Sequence, residues 1–101
     1  MKFKFLVRNP GPRPPFPAVA EHLWGAGVDF DSDGDSRTLE DPNWTELTVI
    51  RRDGTGERID IDPVAEGPLT LQVVSESRDL ALRAAAFLAE ATGGDLDEDQ
   101  R

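Results

Sequence analysis

The feature that most constrains this chain is a change of hydrophobic period. From Trp44 the apolar residues recur every second position: Leu47 and Val49, then Ile59 and Ile61, then Leu69, Leu71 and Val73. Each run predicts a β-strand with one buried face. Immediately afterwards, S-R-D-L-A-L-R-A-A-A-F-L-A-E-A-T-G-G over residues 77 to 94 switches to helical spacing, with Leu80, Ala84, Phe87, Leu88 and Ala91 on one side. Ser77 is placed to cap the free amides, Asp79 lies at the positive end of the helix dipole, and Gly93 suits the left-handed closing residue. Three strands with one apolar face followed by an amphipathic helix have an obvious solution, in which the helix covers the sheet.

The hairpin between the first two runs is signalled by R-R-D-G-T-G-E-R, where Gly54 and Gly56 can take positive φ. P-V-A-E-G-P, residues 63 to 68, is read as the next turn. Arg51, Arg52 and Arg58 alternate with Asp53 and Glu57 around the hairpin, a pattern of internal charge compensation. The opposite sheet face would carry Thr48, Arg58, Asp60, Asp62, Thr70 and Gln72, which suits either a wetted surface or a binding platform.

At the start, K-F-K-F-L-V-R places Phe3, Phe5 and Val7 on one side of a further strand. The prolines of residues 9 to 17 then forbid a regular element. They form a rigid connector or, on the P-x-x-P spacings Pro12/Pro15 and Pro14/Pro17, a polyproline ligand. A short helix follows from Pro17, with Phe16, Val19, Leu23 and Trp24 on a common side, ending near Gly25 or Gly27. The first strand can join the sheet beside either the Leu47 or the Leu71 strand. The expectation is an α+β domain over residues 1–94, in β-α-β-β-β-α order: an antiparallel sheet of about four strands with two helices on one face. Residues 95–101 are read as an acidic tail.

A chain of 101 residues has room for one small core, and it has no cysteine to staple it. Its net charge of −9 disfavours nucleic acid and anionic membrane, and favours basic protein surfaces or cations. The first eight residues alternate charged and apolar, so neither a signal peptide nor a membrane span is expected, and the reading is a cytoplasmic protein.

Catalytic chemistry finds little support. The single histidine, His22, has no nearby nucleophile and orienting carboxylate in sequence, and too few nitrogen or sulfur ligands accompany it for zinc. It reads as a surface or boundary residue. An enzyme built on a carboxylate pair stays open, and would need a cleft holding a carboxylate with a raised pKa.

One acidic stretch has specific spacing. In D-F-D-S-D-G-D-S-R-T-L-E, Asp29, Asp31, Asp33, Gly34, Asp35 and Glu40 take positions one, three, five, six, seven and twelve of an EF-hand calcium loop. Ser36 stands where that loop has an aliphatic residue, and Asp41-Pro42 blocks the exiting helix. Calcium by this loop is therefore one reading. The other is a solvated connector whose residues Asp29, Asp31, Asp33, Asp35 and Glu40 meet a basic protein partner.

The meander followed by R-D-L-A-L-R-A-A-A-F-L-A-E-A-T-G-G-D-L-D resembles the C-terminal half of some small acidic bacterial immunity proteins. That resemblance implies a stoichiometric inhibitor that covers a toxin's basic active surface with carboxylates. The expectation is thus a non-catalytic binding domain without cofactor, with calcium binding and carboxylate-pair catalysis as the alternatives.

Overall fold

The computed structural model describes residues 1–99. Its elements are β1 (Phe3–Arg8), α1 (Phe16–Trp24), β2 (Phe30–Gly34), β3 (Leu47–Arg51), β4 (Arg58–Glu66), β5 (Leu69–Ser75), α2 (Arg78–Thr92) and β6 (Asp95–Asp99). The class is α+β, as expected, but the sheet has six strands instead of about four. They lie in the order β2-β3-β4-β5-β1-β6, every neighbouring pair antiparallel. The two extra strands are the acidic segments taken for loop and tail. β2 occupies part of the acidic stretch from Asp29 to Glu40, and β6 pairs with β1 across Leu6↔Asp97 and Val7↔Leu96. Gln100 and Arg101 of the presumed tail lie outside the described residues.

The register settles where β1 goes. Phe5 stands opposite Val73 and Val7 opposite Leu71, which aligns the buried faces of β1 and β5. The outer side of β3, the other place open to β1, is taken by β2. Beyond β1, the Asn9 amide donates to the Leu69 carbonyl at 2.8 Å and ties the proline-rich segment to the start of β5.

Helices cover one face only. Phe5, Val7, Leu47, Val49, Ile59, Ile61, Leu71 and Val73 from the sheet meet Val19, Ala20 and Leu23 of α1 and Leu80, Ala81, Ala84, Ala85 and Leu88 of α2 in one continuous core. The buried stripe of α2 is turned slightly from the expected one. Ala81 and Ala85 are buried, Ala91 is exposed, and half-buried Phe87 stacks on His22 with ring centroids 4.4 Å apart. Methyl-sized side chains facing the sheet let the helix backbone approach it closely. The caps are the expected ones: Ser77 Oγ accepts the Leu80 amide at 3.2 Å, and Gly93 closes the helix at φ +74.

One turn reading changes. β4 runs through Pro63 to Glu66, leaving Gly67 and Pro68 as the turn into β5. Proline is tolerated there because β3 ends opposite Ile61, so the β4 residues beyond it pair on one side only, and the ladder is already irregular between Pro63 and Ala65. The proline-rich segment is anchored at Gly11, Arg13 and Pro14, while Pro12 and Pro15 are exposed. Trp44 Nε1 donates to the Pro14 carbonyl at 2.8 Å, while Arg13 donates to the carbonyls of Trp44 (Nε, 2.8 Å) and Gly11 (Nη1, 3.0 Å). The rigid-connector reading fits this arrangement.

Candidate interaction surface

The sheet face opposite the helices is open. Strand alternation and register put Asp31 and Asp33 of β2, Thr48 and Ile50 of β3, Arg58, Asp60 and Asp62 of β4, Thr70, Gln72 and Val74 of β5, Lys4, Leu6 and Arg8 of β1, and Asp95 and Asp97 of β6 on this side. One row reads Asp33, Thr48, Asp60, Val74, Lys4 across successive strands, and another reads Asp62, Gln72, Leu6, Asp97. Six strands span about 24 Å at the usual spacing. Asp31, Asp33, Asp95 and Asp97 thus occupy the two margins, Asp60 and Asp62 lie inside them on β4, and half-buried Leu6, Ile50 and Val74 are interspersed.

Part of this charge is compensated at the surface. Arg8 meets Asp97 at 3.1 Å, and Arg52 reaches Asp31 at 3.4 Å and Asp29 at 3.9 Å. Arg58 grips Asp60 with two nitrogens at 2.9 and 3.0 Å, and Thr48 Oγ1 donates to the same carboxylate at 2.7 Å. Burial alone would push the Asp60 pKa up, but these donors outweigh it and hold it below the ordinary range, while the pairing raises that of Arg58. Asp33, Asp62 and Asp95 have no ion-pair partner among the described residues. At the hairpin, Arg51 bridges Asp53 at 2.7 Å and Glu57 at 2.9 Å, the internal compensation read from the sequence.

The calcium loop does not form. In β2 the chain is extended, so Asp31 and Asp33 point to one side about 7 Å apart and do not fold around a common centre. Asp35 is committed elsewhere. Its Oδ1 accepts the Thr45 and Glu46 amides at 2.8 and 3.0 Å, and its Oδ2 accepts Thr45 Oγ1 at 2.8 Å. Glu40 lies beyond this fastening in the loop that leads to Trp44, exposed and outside any strand. No group of three or more His, Asp or Glu side chains among the described residues is placed to hold a metal ion. The donor set fits neither EF-hand geometry nor another hard-cation cage.

Asp35 is thus a structural fastener. Burial pushes its pKa up, and the Glu46 amide together with the Thr45 hydroxyl and amide pulls it further down. Asp41 and Asp53 are lowered chiefly by hydrogen bonds from Arg37 and Asn43 and from Thr55, respectively. Every carboxylate that departs clearly from ordinary values does so downward. Such groups stay charged at neutral pH and are poor proton donors.

Carboxyls whose folded pKa lies below the unfolded value of about 3.9 stabilise the fold above that pH and lose the contribution as pH falls through the folded pKa. Urea unfolding is expected to show full stability at pH 6 and a decline below about pH 4. Asp35→Ala is expected to cost about 1–2 kcal/mol at pH 7, moderated by the site's exposure, and to flatten the acid limb.

Comparison with known proteins finds no match to the chain: no family model, no curated protein and no solved structure. Of the predicted contact residues, Asp31 and Asp33 lie on the open face, Asp29 sits just before it beside Arg52, and Asp35 and Glu40 lie in the loop after β2. Sequence reasoning placed Asp60 and Asp62 on the opposite face but missed Asp95 and Asp97. D-L-D-E-D does carry a strand's alternation, with Leu96 between two carboxylates, although its composition reads as a tail.

Proposed function

We propose that this chain is a non-catalytic binding domain that docks a basic protein on its open sheet face, in the manner of an immunity-type inhibitor. The observation that carries this reading is the convergence of Asp31 and Asp33, Asp60 and Asp62, and Asp95 and Asp97, three separate stretches of sequence, on the one sheet face without helices. Half-buried Leu6, Ile50 and Val74 set among charged side chains give the mixed apolar and polar surface of a transient protein interface. The uncompensated Asp33, Asp62 and Asp95 carboxylates speed encounter with a cationic surface, and the apolar side chains among them supply the contact that persists. The resemblance at the C-terminal half narrows the partner class to a toxin with a basic active surface.

The test is a comparison of the wild type with the fourfold variant Asp31→Asn, Asp33→Asn, Asp62→Asn, Asp95→Asn against a basic partner captured at low salt. The variant is expected to associate at least about tenfold more slowly, with a flatter dependence on ionic strength and an unchanged fold by circular dichroism. Equal association rates for the two proteins would overturn the reading, as would failure to retain any basic partner.

A further inference from the structure

An open six-stranded sheet has two outer edges, each with a row of backbone N–H and C=O groups turned away from the sheet. Here the two edges are unlike. β2 presents Ser32 and Gly34 on its helix side, and its following loop is fastened back by Asp35 to Thr45 and Glu46. β6 pairs with β1 along all five of its residues, and no described element pairs with its outer edge. On its helix side it carries Leu96, 42% exposed, and on its open side Asp95 and Asp97. Leu96 is therefore an apolar anchor flanked by carboxylates that face the other way.

We propose that β6 is a docking edge at which an extended segment of the basic partner pairs as a seventh strand. The matching segment alternates lysine or arginine with aliphatic residues. Its cations face Asp95 and Asp97, and an aliphatic side chain packs beside Leu96, while main-chain hydrogen bonds hold the strand. This rests on the binding-domain reading and adds how the partner is gripped. Asp95 has no ion-pair partner among the described residues, and Asp97 shares only the exposed Arg8, so an incoming cation displaces little. Glu98, on the helix side, is held by Arg78 at 3.4 Å. A second copy is a poor occupant, because two β6 strands side by side would bring their Asp95 and Asp97 carboxylates together.

The probe is an acetylated, amidated seven-residue peptide of alternating lysine and valine, titrated into the isotopically labelled full chain at low salt. Amide shifts are expected to concentrate on residues 94 to 98, with slowed hydrogen exchange at alternate residues of β6. Asp95→Asn with Asp97→Asn should weaken binding about five- to tenfold, and Glu21→Gln with Glu90→Gln, on the exposed sides of the two helices, should leave it unchanged. A peptide N-methylated at alternate residues along its pairing edge keeps the charge but not the donors, and should fail to bind. Shifts centred on Leu6, Gln72 and Val74 or on β2, or equal affinity for the methylated peptide, would overturn strand addition while leaving the acidic-face reading intact. Absence of saturable binding at millimolar peptide would also overturn strand addition; the fourfold variant tested against the captured partner then decides the acidic-face reading separately.

Discussion

Trp44→Ala is expected to lower the unfolding free energy by about 4 kcal/mol, the largest effect of any single truncation in this chain. Trp44 is 1% exposed and is the bulkiest of the fully buried side chains. It stands just before β3, with its ring in the core and its Nε1 on the Pro14 carbonyl. Removing the ring leaves a cavity and also releases the clasp between the proline-rich segment and the chain around Pro42, where the Arg13 amide donates to the Pro42 carbonyl at 2.9 Å. A small domain has about 5–15 kcal/mol in total, so the variant should unfold tens of degrees earlier, or fail to fold at 37 °C. Trp44→Phe separates the two contributions: most of the volume stays, the hydrogen bond goes, and a loss of about 1–2 kcal/mol is expected. Thermal unfolding of both variants checks the ranking. A Trp44→Ala protein within 1 kcal/mol of wild type would contradict this role for the ring.

Gly34→Ala is the second large effect, expected at about 2–3 kcal/mol. The added methyl would fall inside contact distance of the Glu46 carbonyl oxygen, 3.0 Å from the Glu46 carbonyl carbon and 3.2 Å from Leu47 Cα. All three are backbone atoms of the neighbouring chain, so no side chain can swing aside. β2 must separate from β3, and amide exchange across residues 30 to 34 should accelerate together with the loss of stability. Gly54→Ala is the control. Its Cβ would meet open space at φ +87, so only backbone strain is at stake, about 1 kcal/mol. Equal costs for the two substitutions would rule out the close approach at Gly34 as the cause.

These two residues also show where sequence reading stops. The sixth position of a calcium loop demands glycine for a sharp bend, and Gly34 matches that demand by spacing alone. In the fold the same glycine serves a strand-to-backbone approach that nothing in the local sequence announces. Asp35 is similar. As one of several alternating aspartates it looks like a ligand, and only the return of Thr45 and Glu46 to its side makes it a fastener.

The strands β1, β3, β4 and β5 and both helices were legible because each buries a periodic set of large apolar side chains, and burial is what the hydrophobic pattern records. β2 and β6 bury little, so their pairing leaves only a faint trace in composition. They are held by backbone ladders to strands already in place and by surface ion pairs such as Arg8 with Asp97, which depend on what the rest of the chain has built.

The sequence alone therefore determined the α+β class, the single core and the helix caps, since these follow from side-chain periodicity and local hydrogen bonding. Tertiary structure decided the width of the sheet, the place of β1 beside β5, and the gathering of distant aspartates on one open face. Those depend on which backbone edges remain unpaired once the core has formed, a property of the assembled sheet that no stretch of residues carries by itself.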